Sequence, residues 1–149
     1  KPGKVIELGT SAGISTLYLA LGNPCSEVIT VEGNPGLAGK ASECFTENNI
    51  GNIKVINNDF SPALQKLKAD GIFHYSGLKL VFIDGDHSYK PVISYYNYFK
   101  ENLTYPYILI FHDIWWSEGM QKAWKEIVLS CKKNDIIDLF SMGIVFVGL

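Results

Sequence analysis

The run Val5-Ile6-Glu7-Leu8-Gly9-Thr10-Ser11-Ala12-Gly13-Ile14-Ser15-Thr16 ends an apolar stretch in an acidic residue, follows it with two glycines spaced G-x-x-x-G, and continues as an apolar helical pattern. It reads as a strand, a tight turn and a helix start. Glycine takes positive φ freely and lets a ligand approach a backbone without Cβ. The unpaired N–H groups of a helix N-terminus can hold a polar ligand. Glu7 would repel a pyrophosphate and suits a ligand that carries positive charge. Two more segments concentrate chemistry. Asp84-Gly85-Asp86-His87-Ser88-Tyr89 follows an apolar run, and so does His112-Asp113. Close carboxylates repel unless a cation, a proton or solvent lies between them. An imidazole of pKa about 6.5 can remove a proton at neutral pH. His87, His112 and Asp113 are therefore the candidate bases.

The elements that must position these residues alternate along the chain. Val5–Leu8, Glu27–Glu32, Ile53–Asn57, Leu78–Ile83 and Tyr107–Phe111 read as strands. Leu78–Ile83 is nearly all apolar, as expected of a strand buried on both faces. Between them, helical patterns cover Ile14–Leu21, Pro35–Asn48, Ser61–Leu67 and Ser88–Lys100. Pro35 suits a first helical turn, and Ser61 with Pro62 reads as an N-cap followed by N1. Met120, Trp124, Ile127, Val128 and Cys131 mark the buried stripe of a further helix. Ile136–Phe140 and Ile144–Val147, joined by Ser141-Met142-Gly143, read as a closing hairpin. Strands alternating with helices give a parallel α/β sheet, to which the hairpin adds one antiparallel strand.

In such doubly wound sheets the ligand sits at the carboxyl ends of the strands. The first strand delivers Glu7, Gly9, Thr10, Ser11 and Gly13 to that edge. Glu32, followed by Gly33 and Asn34, ends the second. An acid there can accept both hydroxyls of a ribose through strong charged hydrogen bonds, which marks a ribose without deciding the cofactor. Asn58-Asp59-Phe60 ends the third strand, where Asp59 could also cap the following helix.

The motif E-L-G-T-S-A-G resembles motif I of the class I S-adenosylmethionine-dependent methyltransferases, and D-G-D-H-S-Y with H-D resembles a branch that often methylates oxygen. The resemblance covers the whole chain. It implies a Rossmann-like, mostly parallel seven-stranded sheet of order 3-2-1-4-5-7-6. It implies that Glu7, Gly9, Thr10, Ser11 and Gly13 hold the methionine moiety and the ribose edge, with Glu7 near the ammonium directly or through water. Glu32 with Gly33 takes the ribose, Asp59 the adenine amino group, and Phe60 packs against the adenine ring; Asp84 completes the cofactor set. In metal-dependent catechol-type members, an Asp after strand four and an Asp-Asn pair after strand five bind Mg²⁺. Asp84 and Asp113 match those aspartates. Ile114 stands where the Asn would be, so one ligand is missing. His112, His87 or Asp86 could complete a set, but an oxygen-preferring ion does not favour imidazole. A divalent metal is thus possible and not favoured. The expected reaction is methyl transfer from S-adenosylmethionine to a small-molecule acceptor, through a hydroxyl oxygen.

Composition bounds the alternatives. The chain has 149 residues and a formal net charge of -2, the size of one domain, read here as residues 1–149. No broad basic field exists to hold nucleic acid. No apolar run approaches the ~20 residues of a membrane span. Cys25, Cys44 and Cys131 lack C-x-x-C spacing and read as reduced thiols of a cytoplasmic protein. The chain starts at Lys1, shortly before the first strand, and an N-terminal cap of the kind that shapes the acceptor site in this family is expected to be missing. Trp115 and Trp116 would then line a substrate pocket or pack on that segment. One rival is a nicotinamide-dependent oxidoreductase, which should show G-x-G-x-x-G without Glu7. Another is a non-catalytic module that binds the cofactor or a partner. The oligomeric state is not legible.

Overall fold

The computed structural model describes residues 1–149. Its strands are β1 (Lys4–Leu8), β2 (Glu27–Glu32), β3 (Ile53–Asn57), β4 (Lys79–Ile83), β5 (Tyr107–His112), β6 (Ile136–Asp138) and β7 (Met142–Val147). Its helices are α1 (Ile14–Gly22), α2 (Pro35–Glu47), α3 (Phe60–Ala69), α4 (Tyr89–Asn102) and α5 (Glu118–Ser130). One seven-stranded sheet runs in the order β3-β2-β1-β4-β5-β7-β6. Strands β1 to β5 pair in parallel, and β7 lies antiparallel between β5 and β6. This is the Rossmann-like sheet, in the strand order that the resemblance implies. No helix is long and apolar enough to cross a membrane.

Side-chain alternation along the central strands sorts the core into two layers. Ile6, Leu8, Ile29, Val31, Val81, Ile83, Leu109 and Phe111 face a large cluster that includes side chains of α3, α4 and α5. On the opposite face Val5 and Val28 pack against Ala20 of α1. Glu7 shares that second face and is fully buried beneath α1. Because β1 is central, with β2 and β4 on its two sides, its following loop emerges where strand order reverses, the place where such sheets bind ligands.

Local chemistry sets the boundaries. Asn34 caps α2, its Oδ1 accepting from Gly36 N at 2.9 Å and Leu37 N at 3.2 Å, with Pro35 in the first turn. Such a cap contributes about 1 kcal/mol. The third helix differs from expectation. It starts at Phe60, so Ser61 and Pro62 lie inside the first turn and Asp59 holds the N-cap position, without a side-chain capping bond. The hairpin also differs. Its first strand stops at Asp138, where Oδ1 accepts from Phe140 N (3.0 Å) and Oδ2 accepts from Trp124 Nε1 (2.8 Å). Those two bonds turn the chain early, and β7 gains Met142 and Gly143. Lys79, read as lying at the start of an apolar strand, is fully buried. Its Nζ donates to the Tyr75 and Gly77 carbonyls at 2.5 and 3.0 Å, which closes the irregular stretch around Phe73.

Candidate active site

The loop after β1 is shaped by backbone contacts that exclude side chains. Gly9 has φ 105°, and a Cβ there would lie 2.4 Å from the carbonyl oxygen of Asp84. That oxygen belongs to main chain and cannot rotate aside, so only glycine lets the β1 loop cross the end of β4. Gly13 has φ 83°, and a Cβ there would meet the Phe45 ring at 2.7 Å. Gly13 therefore faces α2; its conformation is one that Cβ disfavours, but the neighbour it must avoid is the core. A Gly13→Val substitution would disturb packing as well as the loop. Three non-glycine residues also hold positive φ at this edge: Ser11 (47°), Asp86 (51°) and Asp113 (53°). Strained backbone of this kind persists only where its surroundings enforce it, and it gathers at functional sites.

Under the loop lies a buried polar network. Glu7 Oε2 accepts from Thr16 Oγ1 at 2.5 Å and Thr30 Oγ1 at 2.6 Å, and the Thr30 and Thr10 hydroxyls are 2.6 Å apart. Glu7 Oε1 has no partner although it is buried. Burial raises the Glu7 pKa above its ordinary value; the hydroxyl bonds from Thr16 and Thr30 act against the shift, and the nearby Asp84 charge adds to it. An unpartnered buried carboxylate oxygen is costly, and a cationic ligand nearby would relieve it. Glu7 does not itself line the open cleft.

At the end of β2, Glu32 accepts from Ser11 N (2.9 Å, Oε2) and Asn34 N (2.8 Å, Oε1). One carboxylate thus joins the β1 and β2 loops. Each of its oxygens keeps a second lone pair for a ligand hydroxyl. Gly33 lies beside Asp59: a Cβ at Gly33 would sit 3.3 Å from Asp59 Oδ1. Asp59 is exposed at the head of α3. Phe60 packs edge-on against Tyr95 (5.8 Å) and over Gly85, whose Cβ would meet its ring at 2.6 Å. Those contacts place Phe60 at the β4 end, next to Asp84.

The ends of β4 and β5 converge as the topology predicts. His112 Nδ1 lies 2.8 Å from Asp84 Oδ1 and 3.5 Å from Asp113 Oδ2. His87 Nε2 lies 3.7 Å from the same Asp84 oxygen and 4.0 Å from Asp113 Oδ2. Asp84, placed in the cofactor set from the sequence, is the hub of these contacts. One ligand atom each from Asp84, His87 and Asp113 falls within 4.8 Å of the others. Two carboxylates and an imidazole do not match the all-oxygen shell that Mg²⁺ prefers. Ile114, at the position of the missing Asn, is fully buried in the core.

A cleft of about 400 Å³ reaches Asp84 and His112 of this cluster but not His87 or Asp113; Thr10, Ser11, Ala12 and Ser15, Phe82, and Ile14 and Tyr18 of α1 complete its lining. Phe82, Ile14, Ser15 and Tyr18 were not singled out from the sequence. The signal for two of them was available: Ile14 and Tyr18 are four residues apart on one face of α1, and they stay 64% and 77% exposed. Trp115 and Trp116 do not line the cleft; Trp115 stacks on Phe140 of the hairpin (6.5 Å, 18°).

A seven-stranded sheet of this order with acidic residues at its carboxyl edge defines a Rossmann-like methyltransferase fold. The methyltransferase-domain family model matches residues 6–114, and the chain belongs to that family. Among solved structures, the chain is similar to the O-methyltransferase TomG from Streptomyces achromogenes in complex with SAM, at 14% identity and TM-score 0.74, covering 98% of this chain and 74% of that one. It is similar to an O-methyltransferase from Bacillus cereus in complex with SAH, at 16% identity and TM-score 0.71, covering 97% and 74%. CalS11, a calicheamicin methyltransferase, aligns at 12% identity and TM-score 0.75, covering 99% and 73%. No curated protein matches the sequence.

Proposed function

We propose that residues 1–149 form one catalytic domain that transfers a methyl group from S-adenosylmethionine to a hydroxyl oxygen of a small molecule, with His112 as the general base. The observation that carries this reading is the 2.8 Å contact between His112 Nδ1 and Asp84 Oδ1 on the wall of the cleft. Support comes from the family match and from neighbours of the same fold described as O-methyltransferases with SAM or SAH. The unpartnered Glu7 Oε1 and the free lone pairs of Glu32 fit a cationic nucleoside ligand. S-adenosylmethionine supplies a sulfonium methyl group, and the reaction is an in-line displacement by the acceptor oxygen.

The protein's part is to hold and to deprotonate. Ser11, Glu32, Gly33 and Asp59 hold the nucleoside half; Thr10, Gly13 and the buried Glu7 hold the charged end. Positioning of two reactants can lower a barrier by several kcal/mol. A hydroxyl is a poor nucleophile until its proton leaves. Asp84 accepts the Nδ1 proton of His112 and so fixes the tautomer whose Nε2 lone pair is free. That Nε2 removes the acceptor proton as the oxygen attacks, and Asp84 and Asp113 stabilise the imidazolium that forms. His87, beside the same Asp84 oxygen, adds to the field of that carboxylate. No step runs through a metal, because the donor set does not suit Mg²⁺. The chain's three free cysteines fit a reducing compartment such as the cytoplasm.

Calorimetry with S-adenosylmethionine, S-adenosylhomocysteine and NAD tests the cofactor. Binding of the two methionine derivatives and not NAD is expected, and Glu32→Ala should cost about 1.5–3 kcal/mol. Affinity for S-adenosylhomocysteine weaker than about 1 mM, with NAD bound more tightly, overturns the reading in favour of an oxidoreductase. Methyl transfer should survive chelation; activity that vanishes with chelator and returns with Mg²⁺ or Mn²⁺ overturns the metal-free step.

A further inference from the structure

A second cavity lies at the opposite edge of the sheet, where β5 begins and β7 ends. Tyr107 opens β5 and pairs with Val147. It is five residues from His112, about 17 Å at roughly 3.3 Å per step. The cavity measures about 190 Å³ and is lined by Tyr96, Tyr105, Tyr107 and Val147, with Lys100 and Lys132. The exposed Tyr105 ring stacks on the nearly buried Tyr107 ring at 5.8 Å and 9°, which gives the lining an aromatic side.

The Lys100 and Lys132 ammonium groups and the Tyr107 hydroxyl are the donors its lining leaves for a ligand, whereas the Tyr96 and Ser130 protons are already committed. Ser130 Oγ gives its proton to the Ile127 carbonyl (2.8 Å), so the 2.8 Å contact between Tyr96 and Ser130 uses the Tyr96 proton. Tyr107 is 1% exposed, and its hydroxyl takes part in no side-chain hydrogen bond within the chain. Burial, with Tyr105, Tyr96 and Cys131 close by, pushes its pKa up to about 12, so it remains a donor. The Lys100 ammonium sits 5.6 Å from the Tyr96 ring centroid. Neither Lys100 nor Lys132 has a carboxylate within 4.0 Å. Asp135 is the one acid on the lining, which leaves a charge of plus one from two lysines and one aspartate.

We infer that this cavity is a second ligand site, separate from the methyl-transfer edge, and that it takes a small planar aromatic carboxylate. The ligand ring would lie against Tyr105 and the Val145 and Val147 side chains. The carboxylate would meet Lys100, Lys132 and the hydroxyl of Tyr107, all on the cavity lining. A cavity of this size suits a single-ring molecule, smaller than the occupants of ordinary drug-sized pockets.

Methyl-region NMR of the full-length protein with benzoate tests the site. Benzoate should shift the Val145 and Val147 methyl signals saturably, with a dissociation constant of about 1 mM or tighter. Benzamide, which has the ring without the charge, and acetate, which has the charge without the ring, should each bind at least about fivefold more weakly. Lys100→Met, Lys132→Met and Tyr107→Phe should each weaken benzoate by about threefold, and Lys54→Met on β3 should leave it unchanged. Shifts equal for benzoate and benzamide overturn the inference. So does the absence of saturable shifts at Val145 and Val147 up to about 20 mM, or shifts confined to the Phe82–His112 cleft. None of these readouts depends on methyl transfer, so failure here leaves the proposed reaction standing.

Discussion

At His112 the two ring nitrogens have different tasks. Nδ1 is engaged by Asp84 at 2.8 Å, and Nε2 is left for the acceptor. Replacing the ring removes the base; replacing Asp84 keeps the ring but releases its tautomer and orientation. His112→Ala should lower kcat by about 10²-fold with little change in S-adenosylhomocysteine affinity, and Asp84→Asn should lower kcat by about tenfold. Single-turnover methyl transfer alongside calorimetry checks both. If His112→Ala keeps full activity, the base lies elsewhere, and His87 at 3.7 Å from Asp84 is the next residue to test.

Glu7 belongs to the scale of elements, because its carboxylate binds hydroxyls from α1 (Thr16) and β2 (Thr30) while standing on β1. It aligns three elements from the inside, and its burial carries an electrostatic cost. The folded pKa of Glu7 is raised above the unfolded value by desolvation. Its contribution to stability is therefore fully present below the ordinary glutamate range and is lost as pH rises through the raised folded value. Glu7→Gln, which keeps an oxygen acceptor without the charge, should be less sensitive to pH from about 4.5 upward than wild type. It should also bind the cationic S-adenosylmethionine more weakly. Thermal melts across that range, with and without ligand, check the pair of effects; equal pH slopes in both proteins would show that Glu7 ionisation carries no such cost.

Over the whole molecule, charge is segregated by edge. Glu7, Glu32, Asp59, Asp84, Asp86 and Asp113 lie in or beneath the loops at the carboxyl ends of the strands, and no lysine lines the cleft there. The sequence contains no arginine. An edge so acidic favours a cation and stays under mutual repulsion when empty. Ligand binding should then stabilise the fold as a unit by mass action. At 100 times its dissociation constant, S-adenosylmethionine should add about 2.7 kcal/mol. For a chain of this length that is a rise in Tm of roughly 5–11 °C, larger at low ionic strength. A melt unchanged by saturating ligand would break the link between this edge and cofactor binding.

The order of elements, the two-faced burial of the central strands and the placement of Glu7, Glu32, Asp84 and His112 at strand ends were legible in the sequence. They follow from hydrophobic periodicity and from glycine and proline punctuation, which act over a few residues. What tertiary structure alone decided depends on residues far apart in the chain. Gly9 must lack a side chain because the Asp84 carbonyl, 75 positions later, passes over it. Gly13 answers to Phe45 on α2. Asp84 turns to His112 because parallel pairing of β4 with β5 sets their ends side by side. The early end of β6 depends on Asp138 reaching Trp124 across the α5 interface. Local pattern fixed which residues reach the edge, and the long-range register of the sheet fixed which of them touch.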